Sequence, residues 1–159
     1  DVCSSDLAAI RSGKRFRLAL TVEPNEENFL AWCDLVWRVA DGNVPMGAYM
    51  EELADVTGAG KAVGAHGVIL RKGRKYNIHS RGVSQRPQEC PKTLISMCGH
   101  KWCGRLENLA DTKVMAGHMG LKPEDLQTMP ENIPRKKINF YVKSPTSQTS
   151  VLGDFDPSK

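Results

Sequence analysis

Cys90, Cys98, His100 and Cys103 lie within fourteen residues of one another. Thiolate and imidazole are the usual ligands of structural zinc. Cys98 and Cys103 are separated by four residues, inside the C-x2-4-C range of such sites, and Gly99 permits a tight turn between them. With Cys90 the set is Cys3His, and its cofactor would be zinc. Two other readings stay open. The cysteines can act as small hydrophobes buried as free thiols, or Cys98 or Cys103 can serve as a nucleophile with His66, His79 or His118 as base. Cys33 falls on an apolar helical stripe and reads as core.

A second chemistry comes from charge. From Glu23 to Asp55 there are eight acidic residues and one basic residue, Arg38, a local sum of −7. From Val56 to Gln88 there is no acid, and Lys61, Arg71, Lys72, Arg74, Lys75, Arg81 and Arg86 sum to +7. Val68-Ile69-Leu70 and Tyr76-Asn77-Ile78 flank Arg71-Lys72-Gly73-Arg74-Lys75, which predicts a basic hairpin with Tyr76 beside it. Lys and Arg on such a tip neutralise phosphates and release counterions, so DNA or RNA is the expected partner. Pairing of the basic run with the acidic block inside the fold, or plain solvation, is the competing reading.

Other motifs fail on single residues. Gly58-Ala59-Gly60-Lys61 is no phosphate loop, because G-x4-G-K-[ST] needs glycine where Asp55 stands and a hydroxyl where Ala62 stands. There is no H-E-x-x-H and no G-x-S-x-G. Cys98-Gly99-His100-Lys101-Trp102-Cys103 resembles the centre of a RING finger, but the flanking Cys-x-x-Cys pairs of that family are missing and its ligase activity is not carried over. Enzymatic activity is therefore undecided, with a non-enzymatic role favoured.

These residues need elements to hold them. Phe16, Leu18, Leu20 and Val22 alternate with polar or small residues, the period of a half-buried strand over 15–22. Asn25 caps, Glu26 and Glu27 open, and Phe29, Trp32, Cys33, Val36 and Ala40 stripe a helix over 26–40. Met46, Tyr49, Met50 and Leu53 predict a second helix ending near Gly58. The glycine-rich segment Gly58–Gly67 reads as loop. Strands near 67–71 and 75–80 form the basic hairpin, a helix follows over 105–116, a short one starts at Pro123, and Ile138, Phe140 and Val142 mark a strand over 137–143. The order helix, helix, hairpin resembles a winged helix-turn-helix in layout, with glycine-rich loop where the recognition helix would stand.

The 159 residues, 40% hydrophobic and 25% charged with net charge +4, suit a small single α+β domain with an antiparallel sheet and three or four helices. Residues 8–143 make the domain, and the Ser/Thr/Pro-rich 144–159 read as a disordered tail. Asp1–Leu7 spell the translation of a sequencing-library adapter and read as a scar on a chain of metagenomic origin. No apolar run is long enough to span a membrane, and no leader is evident, so the expected location is the cytoplasm or a virion. The leading expectation is a small nucleic-acid-binding protein of microbial, phage or viral origin with a zinc staple. The second is a structural or assembly protein of a virus or phage particle that forms homo-oligomers, and the third a thiol- or metal-dependent enzyme.

Overall fold

The computed structural model describes residue 12, residues 17–130 and residues 137–156. The expected scar, Asp1–Leu7, lies outside the described residues. The chain is α+β, as composition and periodicity predict, with six α-helices and two small sheets among the described residues. It divides into two compact units: residues 1–57 with 62–83, and residues 58–61 with 84–159.

In the first unit, helix α1 (Glu26–Val39) begins where predicted. The Asn25 side chain accepts a hydrogen bond from the Asn28 amide at 2.9 Å, Glu26 and Glu27 occupy the first turn, and Phe29, Cys33 and Val36 are buried. Past its end, the Asp41 carboxylate accepts from the amides of Asn43 and Val44, bonds that hold its pKa below the usual carboxylate range.

The expected second helix is a strand. Met46–Met50 forms β1, and only Leu53–Val56 closes a single helical turn, α2. Met46, Tyr49 and Met50 fit both helical and strand spacing. Burial settles it at period two, with Ala48 and Met50 inside and Tyr49 62% exposed. The expected strand over 67–71 is in turn a helix, α3 (Gly64–Lys72), followed by a 3-10 turn over Gly73–Tyr76. Gly67 lets this helix approach the preceding loop, since a Cβ there would lie 2.5 Å from the Ala62 carbonyl oxygen. The strand expected near 75–80 is present as β2 (Ile78–Gly82). It pairs in parallel with β1, Met46 opposite Ile78 and Tyr49 opposite Arg81. A parallel pair requires a long crossover, which α2 and α3 supply, so no basic hairpin exists here.

Residues 17–22, the described part of the first expected strand, carry no ladder. Leu18 and Leu20 are still half-buried between exposed Arg17, Ala19 and Thr21. The alternation records a buried face, and the hydrogen-bonding partner that would make it a strand is missing among the described residues.

In the second unit, a 3-10 turn (Pro87–Glu89), α4 (Lys92–Met97), α5 (Leu109–Met119) and α6 (Pro123–Gln127) pack around Leu94, Ile95, Met115, Ala116, Met119 and Leu126. Asn108 caps α5 by accepting from the Ala110 amide at 2.8 Å, and Gly120, at φ 70°, ends it in the left-handed region. An antiparallel sheet runs β3 (Lys101–Cys103), β4 (Ile138–Lys143), β5 (Val151–Phe155), with β4 central. β4 is the strand predicted over 137–143, but its neighbours are not the predicted ones. β5 lies in the segment expected to be a disordered tail: Val151, Gly153 and Phe155 stand opposite Val142, Phe140 and Ile138, and pairing with β4 orders Val151–Phe155, which holds the apolar Val151, Leu152 and Phe155.

Candidate functional site

The basic residues do not converge on a hairpin tip. Arg71 and Lys72 end α3, Arg74 and Lys75 sit in the 3-10 turn, and all four are exposed. There they complement the negative end of the α3 dipole. Tyr76 packs edge-on against Trp37, ring centroids 4.7 Å apart, so its ring is engaged within the unit. The Arg81 guanidinium lies 4.9 Å over the Tyr49 ring and donates to its hydroxyl. Lys61 is exposed in the loop ahead of α3. Arg86, in the second unit, donates to the buried Asp111 carboxylate at 3.2 Å and pairs with Glu89 at 2.7 Å. Gln88 also donates its amide to Asp111, at 2.9 Å, which makes Arg86 part of a structural clip.

The expected Cys3His set is not assembled. Among the described residues, no three His, Cys, Asp or Glu side chains are grouped to hold a metal ion. Cys90 precedes α4 and Cys98 follows it, so a six-residue helix about 9 Å long lies between two of the expected ligands. Burial raises the thiol pKa of Cys90 and Cys98 and pushes that of Cys103 up to about 11. Cys103 donates its thiol proton to the Gly104 carbonyl at 3.3 Å, and His100 is exposed. Burial disfavours the thiolate at all three positions, so none has the depressed pKa of an activated nucleophile. Cys33 is core, as expected, with its thiol pushed up to about 12 by burial.

Residues that sequence reasoning passed over come together at the carboxyl end of the parallel pair, the end of an α/β sheet where ligands ordinarily bind. β1 runs out into Glu51 and Glu52. Glu52 holds φ at 47°, a left-handed conformation that costs a non-glycine residue on the order of 1 kcal/mol or more and that concentrates at functional sites. Two backbone hydrogen bonds clamp this corner to the end of β2: the Val83 amide to the Met50 carbonyl at 2.9 Å, and the Leu53 amide to the Val83 carbonyl at 3.1 Å. Beside it opens a cleft of about 430 Å3, lined by Leu18, Leu20, Phe29, Trp32, Tyr49 and Glu51 among others. Its apolar wall can seat a flat ligand, and the carboxylates at its rim can balance cations or accept protons. Phe29 also packs edge-on, at 4.9 Å, against His66, a buried histidine whose pKa burial lowers to about 4 and whose Nε2 has no hydrogen-bond partner among the described residues. The sequence signal for this corner was the pair Glu51-Glu52 directly after an apolar run, obscured when the run was read as helical.

No family model matches the chain. Over 133 residues it is 41% identical to Protein P9 of Pseudoalteromonas phage PM2, a match that takes in 84% of this chain and 61% of P9. Its fold is similar to that of the genome packaging NTPase B204 from Sulfolobus turreted icosahedral virus 2, solved in complex with AMPPCP. That likeness has TM-score 0.72 and 12% sequence identity and covers 92% of this chain and 69% of B204. Both similarities are to viral proteins. With the missing hairpin and the unassembled cysteine cluster, they overturn the leading expectation of a nucleic-acid-binding protein with a zinc staple and favour the second, a virus or phage component. The chain spans about three-fifths of the phage protein it matches.

Proposed function

We infer that this chain is part of a phage genome-packaging NTPase, in which the β1–β2 corner with Glu51 and Glu52 forms one wall of the nucleotide site. The observation that carries the reading is the strained Glu52 at the carboxyl end of a parallel strand, in a fold similar over 92% of the chain to a packaging NTPase that binds AMPPCP. The similarity to a phage protein at 41% identity supports the viral setting. The chain carries no phosphate loop of the G-x4-G-K-[ST] kind, so the reading assigns it the acidic wall and leaves the phosphate cradle to other residues of the working assembly. In such a site a carboxylate following the strand orients the attacking water or balances the cation that accompanies the nucleotide.

A chimera tests this. The segment of PM2 P9 that matches this chain is replaced by residues of this chain, and phage particles are scored for DNA content. The parent chimera is expected to yield DNA-filled particles, and Glu51→Gln or Glu52→Gln to yield empty ones. Purified chimera should gain thermal stability with AMPPCP, and the variants should gain less. Equal packaging and equal nucleotide response in parent and variants would overturn the reading.

A further inference from the structure

The second unit gathers two lysines and a histidine with no carboxylate among them. Lys101 on β3 stands directly opposite Lys143 on β4. Like charges facing each other across antiparallel strands are unfavourable. Both side chains are nevertheless half-buried and held in place by the backbone: Lys101 donates through Nζ to the Cys98 carbonyl, and Lys143 donates to the His118 carbonyl at 3.0 Å. His118, on the last turn of α5, is half-buried beside them. None of the three is ion-paired among the described residues. Burial, and then the two lysines, lower the His118 pKa, while burial lowers that of Lys101 with Lys143 adding to the effect. The half-buried Cys98 thiol completes the surroundings, its own pKa raised by burial. Gly120 borders the cluster: a Cβ there would lie 3.8 Å from the Lys143 Nζ and 3.2 Å from the Gln148 carbonyl oxygen.

We propose that Lys101, Lys143 and His118 form an anion site that takes a phosphate-type oxyanion between the two facing ammonium groups. Each ammonium spends one donor on a backbone carbonyl and keeps two, and a tetrahedral oxyanion can accept from both lysines while the imidazole completes the third side. The compensating charge comes from the ligand, which explains why a repulsive pair is held in place. The site lies in a different unit from the Glu51–Glu52 corner and does not depend on the packaging reading.

The test uses the full chain, sodium phosphate as probe and sodium chloride at equal ionic strength as control. Millimolar phosphate is expected to raise the melting temperature saturably, by about 3–6 °C at ten times the dissociation constant, and chloride is not. Lys143→Met and Lys101→Met are expected to lose that response. A flat parent, or the same rise in the variants, the signature of a general salt effect, overturns the site. Should the methionine variants fail to fold, the 31P line of inorganic phosphate decides: broadening by the parent and by Lys143→Arg is expected, and no broadening by the parent overturns the proposal. AMPPCP added to the broadened sample separates the sources. Restored sharpness means that the oxyanion is carried by a nucleotide, and unchanged broadening means free phosphate.

Discussion

His66 is the residue with the clearest pH signature. It is 1% exposed, edge-on to Phe29, with its pKa lowered by burial to about 4 from 6.5. The folded state therefore holds it neutral while the unfolded chain takes up a proton below pH 6.5. Stability is full above that value and falls as pH drops towards 4. At pH 5 the loss from this one group is about 2 kcal/mol. Urea midpoints at pH 7 and pH 5 should show it, and His66→Leu should remove most of the difference; an equal acid shift in the variant would assign the sensitivity elsewhere. Asp111 is the other residue whose environment dictates its role. It is buried and accepts from Arg86 and from the Gln88 amide. Asp111→Ala is expected to cost about 2–4 kcal/mol in a denaturant titration, because the clip over 86–88 loses its acceptor and the exposed Arg86–Glu89 pair cannot replace it.

At the scale of elements, the expected helix over 46–57 and the expected strand over 67–71 exchange types. Helical and strand spacings overlap for short apolar runs, and pairing then decides. Val68-Ile69-Leu70 is β-branched enough for a strand, yet a helix puts Ile69 in the core together with His66 and Gly67. The close approach of α3 to Ala62 makes a sharp prediction. Gly67→Ala sets a Cβ against a backbone oxygen, and the helix must shift, so a melting experiment should show a loss of about 1–3 kcal/mol although alanine is the better helix former. A stabilised variant would mean that α3 sits farther from the loop than described.

Across the whole molecule, the acidic block and five of the seven basic residues, Arg71, Lys72, Arg74, Lys75 and Arg81, fall in the first unit, but among the described residues the basic run does not ion-pair with the acidic block. Among the described residues Arg71, Lys72, Arg74 and Lys75 have no ion-pair partner. Replacing all four by alanine should change the unfolding free energy by no more than about 1 kcal/mol, because exposed charges contribute little. A larger loss in a chemical denaturation curve would restore internal pairing.

Local signals were legible in the sequence where one short stretch carries the whole physical cause. The Asn25 cap and stripe of α1, the Pro123 start of α6, the alternation of β4, the core position of Cys33 and the α+β class all follow from capping chemistry or period alone. Everything that depends on what lies opposite was decided by tertiary structure. Period two in Met46–Met50 becomes visible only once β2 pairs with it, and Val151–Phe155 becomes a strand because β4 presents an edge. Cys90 and Cys98, eight positions apart, have the helix Lys92–Met97 between them. Lys101 and Lys143, forty-two positions apart, face each other only through strand register. Sequence spacing measures distance along the chain, whereas ligand sets, charge clusters and the strained Glu52 corner depend on distances through space that the fold alone sets.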